Sequence, residues 1–422
     1  MLLFLALTIF LVSYAVIISE KVHRTSVALF GGILMVVAGI VSFDEALHAI
    51  DFNTIGLLIG MMILVILMTK TGVFEFLAFS LARISKGKPI VILAWFCILT
   101  ALSSAILDNV TTILLIVPIT LVITGNLRLN PLHFILPEVL FSNIGGAATL
   151  IGDPPNILIG SAVGLSFVDF LVVMGPPILL IIAILLPLYL FVFRKKLQCD
   201  AKDCKRLLSF DPKKSLKETP LLVKSLIVLT LVLAGFFLHG QLHVEPAIIA
   251  IAGAALLLVI SGKHPEHILE KVEWTTIIFF VGLFVLVEGI AAVGVLEWVA
   301  HAIFDLTDGE IIPTFFLIIG GSAILSSFVD NIPFVATMIP VLKDFETIAG
   351  TDITPLWWAL AAGAALGGNG AIVGASANLV AAGIAEKSGH PISFMQFLKI
   401  GFPMMLVSVV IASGVLAVTF FV

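Results

Sequence analysis

The stretch SNIGGAATLIGDPPNILIG, residues 142–160, interrupts an apolar run over residues 134–163 that is long enough to cross a lipid bilayer. Its glycines permit an unwound backbone, and Pro154 and Pro155 suit the first turn of a new helix. Irregular backbone inside hydrocarbon is tolerated only where protein shields it or where it lines a wet cavity. We therefore predict a helix that breaks halfway through a membrane and leaves carbonyl groups and helix ends free to hold a solute or ion.

The composition of the whole chain is typical of a membrane protein. Of its 422 residues, 60% are hydrophobic and only 12% are charged, which leaves too little polar surface for a soluble globular protein. The first apolar run lacks the basic flank and the cleavage site of a signal peptide, so we expect it to be a helix. No feature indicates a nucleic-acid surface, a metal site or a cofactor. The ten predicted spans are residues 2–18, 25–41, 54–69, 134–163 and 168–193, followed by 221–238, 245–261, 274–294, 355–384 and 393–421.

A shift of 222 residues aligns the two halves of the sequence without a gap over most of their length. The shift pairs Asp108 with Asp330 and Asn156 with Asn378, and it also aligns many glycines. One register that matches so many special residues indicates an internal repeat. The predicted division is a first repeat over residues 1–193, a basic linker over 194–220 and a second repeat over 221–422.

The basic residues indicate that the two repeats have opposite orientations in the membrane. Ten of the 22 Lys and Arg residues lie between Arg194 and Lys224, so the positive-inside rule places the linker in the cytoplasm. The loop over residues 70–88 carries four basic residues, whereas its repeat partner, residues 292–310, carries none and is acidic. Equivalent loops on opposite faces are typical of an inverted repeat. We expect extracytoplasmic termini and a location in a bacterial or archaeal plasma membrane.

Each half also contains an apolar stretch, residues 90–123 and 311–342, with an Asp-Asn pair near its middle. Five spans per half satisfy the charge rule only if this stretch enters the membrane and returns to the same side, as a re-entrant hairpin. The expected fold is therefore an all-α polytopic membrane protein. It has two inverted repeats of five transmembrane helices, each with a re-entrant hairpin and a broken helix.

The hairpin tips and the broken helices together form the predicted binding site. An ionisable group at mid-membrane depth is costly and by default marks the path of a proton or cation. Glu138 and Glu288 lack acidic repeat partners and are possible proton relays. No Lys or Arg lies well inside a span, so we expect that helix dipoles alone would have to hold a dianionic substrate. The candidate residues for binding solute or ions are Asp108, Asn109, Thr111, Asn143, Thr149, Asp153, Asn156, Asp330, Asn331, Asn369, Ser376 and Asn378.

Four strings, at residues 103–120, 142–160, 326–341 and 367–389, resemble the ion transporter superfamily, and specifically its ArsB/NhaD branch of arsenite permeases, sodium/proton antiporters and the melanosomal P protein. The resemblance implies a homodimer in the lipid bilayer that works as an elevator, with a small inorganic solute or ion as cargo. A cytoplasmic ATPase subunit is left open. The dicarboxylate carriers of the superfamily have Ser-Asn-Thr at both tips, whereas this chain has Asp108-Asn109 and Asp330-Asn331.

The first functional hypothesis is efflux of arsenite or antimonite coupled to proton antiport, because uncharged arsenite needs hydrogen-bonding groups rather than cations. The alternative is a sodium/proton antiporter that uses the same acids. In both, a proton or sodium is the coupling ion and no other cofactor is expected. Further alternatives are an anion channel and a carboxylate carrier. An intramembrane enzyme is not expected, since no HExxH motif or complete serine elbow occurs.

Overall fold

The computed structural model describes residues 2–19, 21–197 and 211–422, and the secondary structure in these ranges is helical. The remainder of the predicted linker, with Cys199 and Cys204, lies outside the described residues. The first half contains α1 (Leu2–Ser19), α2 (Arg24–Val37), α3 (Phe43–Ala49), α4 (Phe52–Thr69), α5 (Val73–Ile84), α6 (Pro89–Ile106), α7 (Asn109–Leu127), α8 (Leu132–Gly146), α9 (Pro154–Val163) and α10 (Phe167–Phe193). After a 3-10 turn (Pro212–Ser215) follow α11 (Thr219–Leu242), α12 (Pro246–Ser261), α13 (Glu266–Leu269), α14 (Trp274–Ala291), α15 (Val295–Thr307), α16 (Ile311–Phe328), α17 (Asn331–Ala349), α18 (Thr354–Gly367), α19 (Ser376–Lys387) and α20 (Phe394–Phe421).

Nine helices of the described residues are long and apolar enough to cross a membrane: α1, α4, α6, α7, α10, α11, α14, α16 and α20. Two predicted spans, α2 and α12, are shorter apolar helices. The polytopic all-helical fold predicted from the sequence is therefore confirmed. Three arms of the predicted hairpins, α6, α7 and α16, are themselves long enough to cross.

The helices are interrupted where the sequence predicts it. The chain leaves helical geometry over residues 147–153, between α8 and α9, and over residues 368–375, between α18 and α19, where only a 3-10 turn forms. In the first hairpin α6 ends at Ile106 and α7 begins at Asn109, and in the second α16 ends at Phe328 and α17 begins at Asn331.

Two amphipathic helices, α5 and α15, precede the hairpins and were not predicted. Helix α5 buries Phe74, Ala78 and Ala82, and α15 buries Leu296 and Ala300 at the repeat-equivalent positions of the first two. Apolar side chains at this spacing form one stripe of a helix. A search for uninterrupted apolar runs does not find such helices, because their other face is polar.

Two three-helix bundles flank the broken helices, and each takes helices from both halves of the chain. Helices α1 and α2 pack with α14, while α11 and α12 pack with α4. An added Cβ on Gly282 of α14 would lie 2.5 Å from the carbonyl carbon of Ala28, and one on Gly60 of α4 would lie 2.6 Å from that of Ala250. Gly60 and Gly282 are repeat equivalents, and so are Ala28 and Ala250, so the two bundles make the same close contact. Small residues here let the helix backbones approach closely.

The two hairpins pack against different halves of the broken helices. The first hairpin, α6 and α7, contacts α8 and α19, whereas the second, α16 and α17, contacts α18 and α9. The break separates α8 from α9, so the hairpins approach the centre of the protein from different ends of the broken helices.

One face of the protein collects the basic side chains of Lys70, which follows α4, Lys224 in the first turns of α11, and Lys263 and Lys271, which precede α14. Lys263 forms an ion pair with Glu218 at 2.8 Å, and Lys224 Nζ donates to the Ile260 carbonyl at 2.6 Å. We call this the basic face. Helix α2 begins at the same face, because the Thr25 hydroxyl donates to the Thr275 carbonyl at 2.8 Å.

The described end of the linker docks on the turn before α5, and this contact provides a stability test. Gly72 and its repeat partner Gly294 both have a φ of +76°, a conformation that costs other residues about 1 kcal/mol or more. A Cβ on Gly72 would also overlap the Ser215 carbonyl oxygen, whereas one on Gly294 meets nothing closer than 4.0 Å. Overpacking adds roughly 1–3 kcal/mol.

We therefore expect Gly72→Ala to lower the midpoint of thermal unfolding in detergent clearly more than Gly294→Ala, which serves as the matched control for the backbone conformation. Equal shifts for the two variants would contradict the docking of the linker on this turn.

Candidate functional site

Asp153, in the first break, accepts hydrogen bonds from the tips of both hairpins. Asn109 Nδ2 lies 3.2 Å from Asp153 Oδ1, and Asn331 Nδ2 lies 3.3 Å and 3.2 Å from its two carboxylate oxygens. The Asp153 side chain is completely buried. Residues from the two halves of the chain thus meet at one carboxylate, at the point where both hairpins turn.

Asn143 extends this network to the second break. Its Oδ1 accepts from Asn109 at 3.2 Å, and its Nδ2 donates to Asn369 Oδ1 at 2.9 Å and to Asn378 Oδ1 at 3.0 Å. Asn369 in turn donates to the Leu140 carbonyl at 3.1 Å. The structure therefore brings six of the predicted site residues into one connected, buried network: Asn109, Asn143, Asp153, Asn331, Asn369 and Asn378.

Asn156 and Asn378 hold the two breaks open in the same way. Asn156 Nδ2 donates to the Thr149 carbonyl at 2.9 Å, and Asn378 Nδ2 donates to the Ala371 carbonyl at 3.0 Å. Asn378 Oδ1 has Asn143 as its donor, but the repeat equivalent of Asn143 is Ala365. Asn156 Oδ1 is buried and has no hydrogen-bond donor among the described residues, so the first break carries an acceptor that a bound solute or cation can satisfy.

Asp108 caps its own helix. Its Oδ1 accepts from the Thr111 backbone N–H at 2.8 Å, and the Thr111 hydroxyl donates to Oδ2. Both predicted site residues thus hydrogen-bond each other at the tip of the first hairpin, one residue from the network member Asn109. Capping accounts for both oxygens of this carboxylate.

Asp330 caps the second hairpin and also binds a basic side chain. Its Oδ1 accepts from the Ile332 N–H at 3.0 Å, while Oδ2 lies 2.8 Å from Arg24 Nη1 and accepts from the Ser376 hydroxyl at 2.8 Å. Arg24 also donates to Ser376 and lies over the Phe279 ring, 5.1 Å from its centroid. Arg24, which reaches in from the start of α2, thus adds a basic side chain at the second tip, where the sequence led us to expect helix dipoles alone.

A cavity of about 420 Å³ adjoins this ion pair and opens at the basic face. Its polar lining includes Arg24, Asp330, Ser376 and Glu273. Glu273 precedes the first residue of α14, and burial raises the pKa of its carboxyl to about 7, with a further contribution from the negative charge of Asp108. Burial therefore favours the neutral form of this carboxyl, which limits the negative charge of the cavity.

The remaining predicted residues lie outside the network. The Thr149 hydroxyl donates to the Ala105 carbonyl at 2.6 Å and ties the first break to the first hairpin. Glu138 is buried between α7 and α8, where the Thr120 hydroxyl lies 2.8 Å and 3.0 Å from its carboxylate oxygens. Glu288 lines a separate cavity of about 480 Å³. Neither glutamate makes a direct hydrogen bond to the network in the described part of the chain.

Residues 14–363 match the family model described as citrate transporter. The chain belongs to the citrate transporter family. This family is part of the ion transporter superfamily. An uncharacterized transporter of Mycobacterium bovis is 41% identical over 99% of this chain and 98% of the relative. The human P protein is 36% identical over 94% of this chain, and the matched region covers 57% of that longer protein.

The crystal structure of the Alcanivorax borkumensis YdaH transporter is similar to this citrate transporter family member, with a TM-score of 0.62 and 15% identity over 94% of this chain and 98% of that one. At this identity the similarity concerns the fold. The chain is thus a multi-pass membrane transporter, while its placement in the ArsB/NhaD branch stays a prediction.

Neither Arg24 nor Glu273 was predicted from the sequence as a residue of the site in this transporter. The repeat equivalent of Arg24 is Pro246, so the repeat gave no signal for it. A signal existed for Glu273, because its repeat partner Asp51 is also acidic and both precede a threonine by three residues. In the structure Glu273 accepts from Thr276 at 3.3 Å, and Asp51 accepts from the Thr54 hydroxyl.

Proposed function

We propose that this chain is a secondary active carrier that couples a proton or sodium ion at the Asp153 network to the movement of a small carboxylate anion. The observation that supports the coupling ion is the buried Asp153 carboxylate, which has amide donors from both tips and no basic partner within the described residues. A carboxylate in that environment is stabilised by a bound cation or by protonation.

The cargo is proposed from Arg24 and from the description of the family. A guanidinium is suited to bind a carboxylate group, and here it lies beside a cavity large enough for a small organic anion. Arg24 forms an ion pair with Asp330. A cation bound at the Asp153 network also compensates the nearby charge of Asp330. This weakens the pair of Asp330 with Arg24 and releases the guanidinium for the cargo, and this sequence of events provides the coupling.

Arsenite or antimonite efflux coupled to protons and sodium/proton antiport remain the competing proposals. The buried asparagines Asn143, Asn369 and Asn378 favour an uncharged hydrogen-bonding solute such as arsenite. The sequence disfavours an anion on two grounds, the lack of a basic side chain inside a span and the acids Asp108 and Asp330 at the two tips. Arg24 removes the first, and the second holds until a cation compensates the tip charges. None of the related proteins named above is described by the solute it carries.

We propose further that the two repeats are inverted, with the basic face cytoplasmic, both termini extracytoplasmic and the plasma membrane as the location. The approach of the hairpins from different ends of the broken helices supports the inversion. The hairpins and broken helices would form the mobile unit of a homodimeric elevator, and the two three-helix bundles would form its scaffold. A partner ATPase subunit is not needed for this mechanism.

Proteoliposomes that contain the purified protein test the function. We expect uptake of citrate or a smaller carboxylate to depend on an imposed pH or sodium gradient. Uptake should fall about tenfold or more in Arg24→Gln, since loss of a shielded guanidinium–carboxylate contact with the cargo costs about 1.4 kcal/mol or more. Arsenite and sodium are compared side by side. Sodium-dependent collapse of a pH gradient without any carboxylate flux would favour the antiporter instead.

A further inference from the structure

The second hairpin is tied to a three-helix bundle by two polar contacts. Arg24 of α2 binds Asp330 at its tip. Tyr14 of α1 lies 2.9 Å from the Pro333 carbonyl and 2.7 Å from the Thr337 hydroxyl, both on α17. Asp330 is 10% exposed and Arg24 27% exposed, so the ion pair is largely shielded from water. Shielded pairs are screened less by salt than surface pairs.

The first hairpin lacks this connection because the repeat is asymmetric at both positions. Residue 236, equivalent to Tyr14, is Phe, and residue 246, equivalent to Arg24, is Pro. Neither side chain can donate a hydrogen bond. Asp108, the partner of Asp330 in the repeat, is bonded within its own hairpin to Thr111 in the described part of the chain.

The cavities on the two faces are also unequal, and again the connection to a hairpin tip lies on the basic face. On the face opposite to the basic face, a cavity of about 320 Å³ is lined by His239, Val244 and Pro246, which are the repeat equivalents of Ile17, Val22 and Arg24 in the basic-face cavity. The basic-face cavity reaches the tip residue Asp330, whereas the lining of the opposite cavity does not include Asp108. The two faces are built alike but give unequal access.

We infer that Tyr14 and Arg24 form a one-sided latch on the second hairpin that holds the empty carrier open to the basic face. The inference rests on the proposed function, since it assigns the resting state of that carrier. A cation bound beside Asp330 weakens the ion pair, and the cargo carboxylate replaces Asp330 on Arg24, so loading releases the hairpin. His23 and Glu273 are the other titratable groups that line the cavity.

The latch is tested by the ratio of two cysteine labelling rates, Val380→Cys over Leu158→Cys, rather than by flux. The latch can then be rejected independently of the transport proposal. Single reporter cysteines are placed in a cysteine-free background at Val380→Cys, in the basic-face cavity, and at its repeat equivalent Leu158→Cys, on the opposite side. The rates of reaction with a membrane-impermeant maleimide are measured on vesicles of each orientation without solute. We expect Val380→Cys to react at least about tenfold faster.

Tyr14→Phe and Arg24→Gln, tested separately, are each expected to lower this ratio about threefold to tenfold, as the loss of one shielded polar contact predicts. His23→Gln is the matched control, since His23 lines the same cavity without bonding to the hairpin, and it should leave the ratio unchanged. Sodium should lower the ratio in the parent protein but not in Asp330→Asn.

An unchanged ratio in both Tyr14→Phe and Arg24→Gln, in protein that unfolds at the parent temperature, overturns the latch even if carboxylate transport is observed. A shifted ratio in a protein that carries no carboxylate would keep the latch and reject the proposed cargo.

Discussion

Asp153→Asn is expected to reduce cation-coupled transport by about 100-fold or more. The substitution keeps the size of the side chain but removes the negative charge to which both tip asparagines, Asn109 and Asn331, donate hydrogen bonds. A hydrogen bond to a charged group contributes roughly 1.5–3 kcal/mol, and about 1.4 kcal/mol corresponds to a tenfold change. Asn keeps one acceptor oxygen, but both bonds lose their charge and the coupling ion loses the carboxylate that would hold it, which predicts the stated reduction. The measurement is solute uptake driven by a pH or sodium gradient in proteoliposomes.

The matched control for this variant is Asp169→Asn. Asp169 is an exposed member of the capping box at the start of α10, outside the network, and Asn is accepted near helix starts. We expect transport to change less than about twofold and the midpoint of thermal unfolding to shift only slightly. Full coupled transport by Asp153→Asn would remove the buried carboxylate from the mechanism.

Asp330→Asn and Asp108→Asn form the second pair of large expected effects. Asn caps a helix about as well as Asp, so both hairpins should keep their structure. Each variant loses an acid at a hairpin tip, and we expect coupled transport to fall at least about tenfold in both. The fall should be greater for Asp330→Asn, because it also leaves the partly shielded Arg24 guanidinium without its carboxylate partner.

The corresponding alanine variants separate capping from charge. Asp330→Ala and Asp108→Ala also lose the cap, which costs roughly 0.5–2 kcal/mol, so they should unfold at lower temperature than the asparagine variants while transporting no better. Parent rates of transport in both asparagine variants would show that the tip acids serve only as caps.

The sequence was sufficient to predict the helical spans, the two breaks and the two hairpin tips. Glycine, proline and Asp-Asn pairs inside apolar runs have few structural explanations, and each occurs twice at one offset. Six of the twelve predicted binding residues meet in one network. Asp108 and Thr111 instead cap a helix, while Thr149 and Asn156 bond the backbone of the first break and its hairpin.

The remaining features depend on tertiary contacts that local patterns do not encode. Arg24 lies in a short polar turn of the sequence, and only the packing of α2 beside α14 brings it to Asp330, which is 306 residues away. The amphipathic helices α5 and α15 carry no long apolar run. The asymmetry between Tyr14 and Phe236 was visible in the repeat, but it had no meaning until the partners of Tyr14 were known.

The mixed composition of the three-helix bundles constrains how the protein is made. The bundle that contains α1 and α2 also needs α14, which ends at Ala291. During synthesis, Gly31 and Gly32 therefore remain without their α14 contacts until about 250 further residues have been translated and inserted into the bilayer. Neither half expressed alone can complete a bundle, whereas two separately translated fragments, divided in the linker, should assemble with each other.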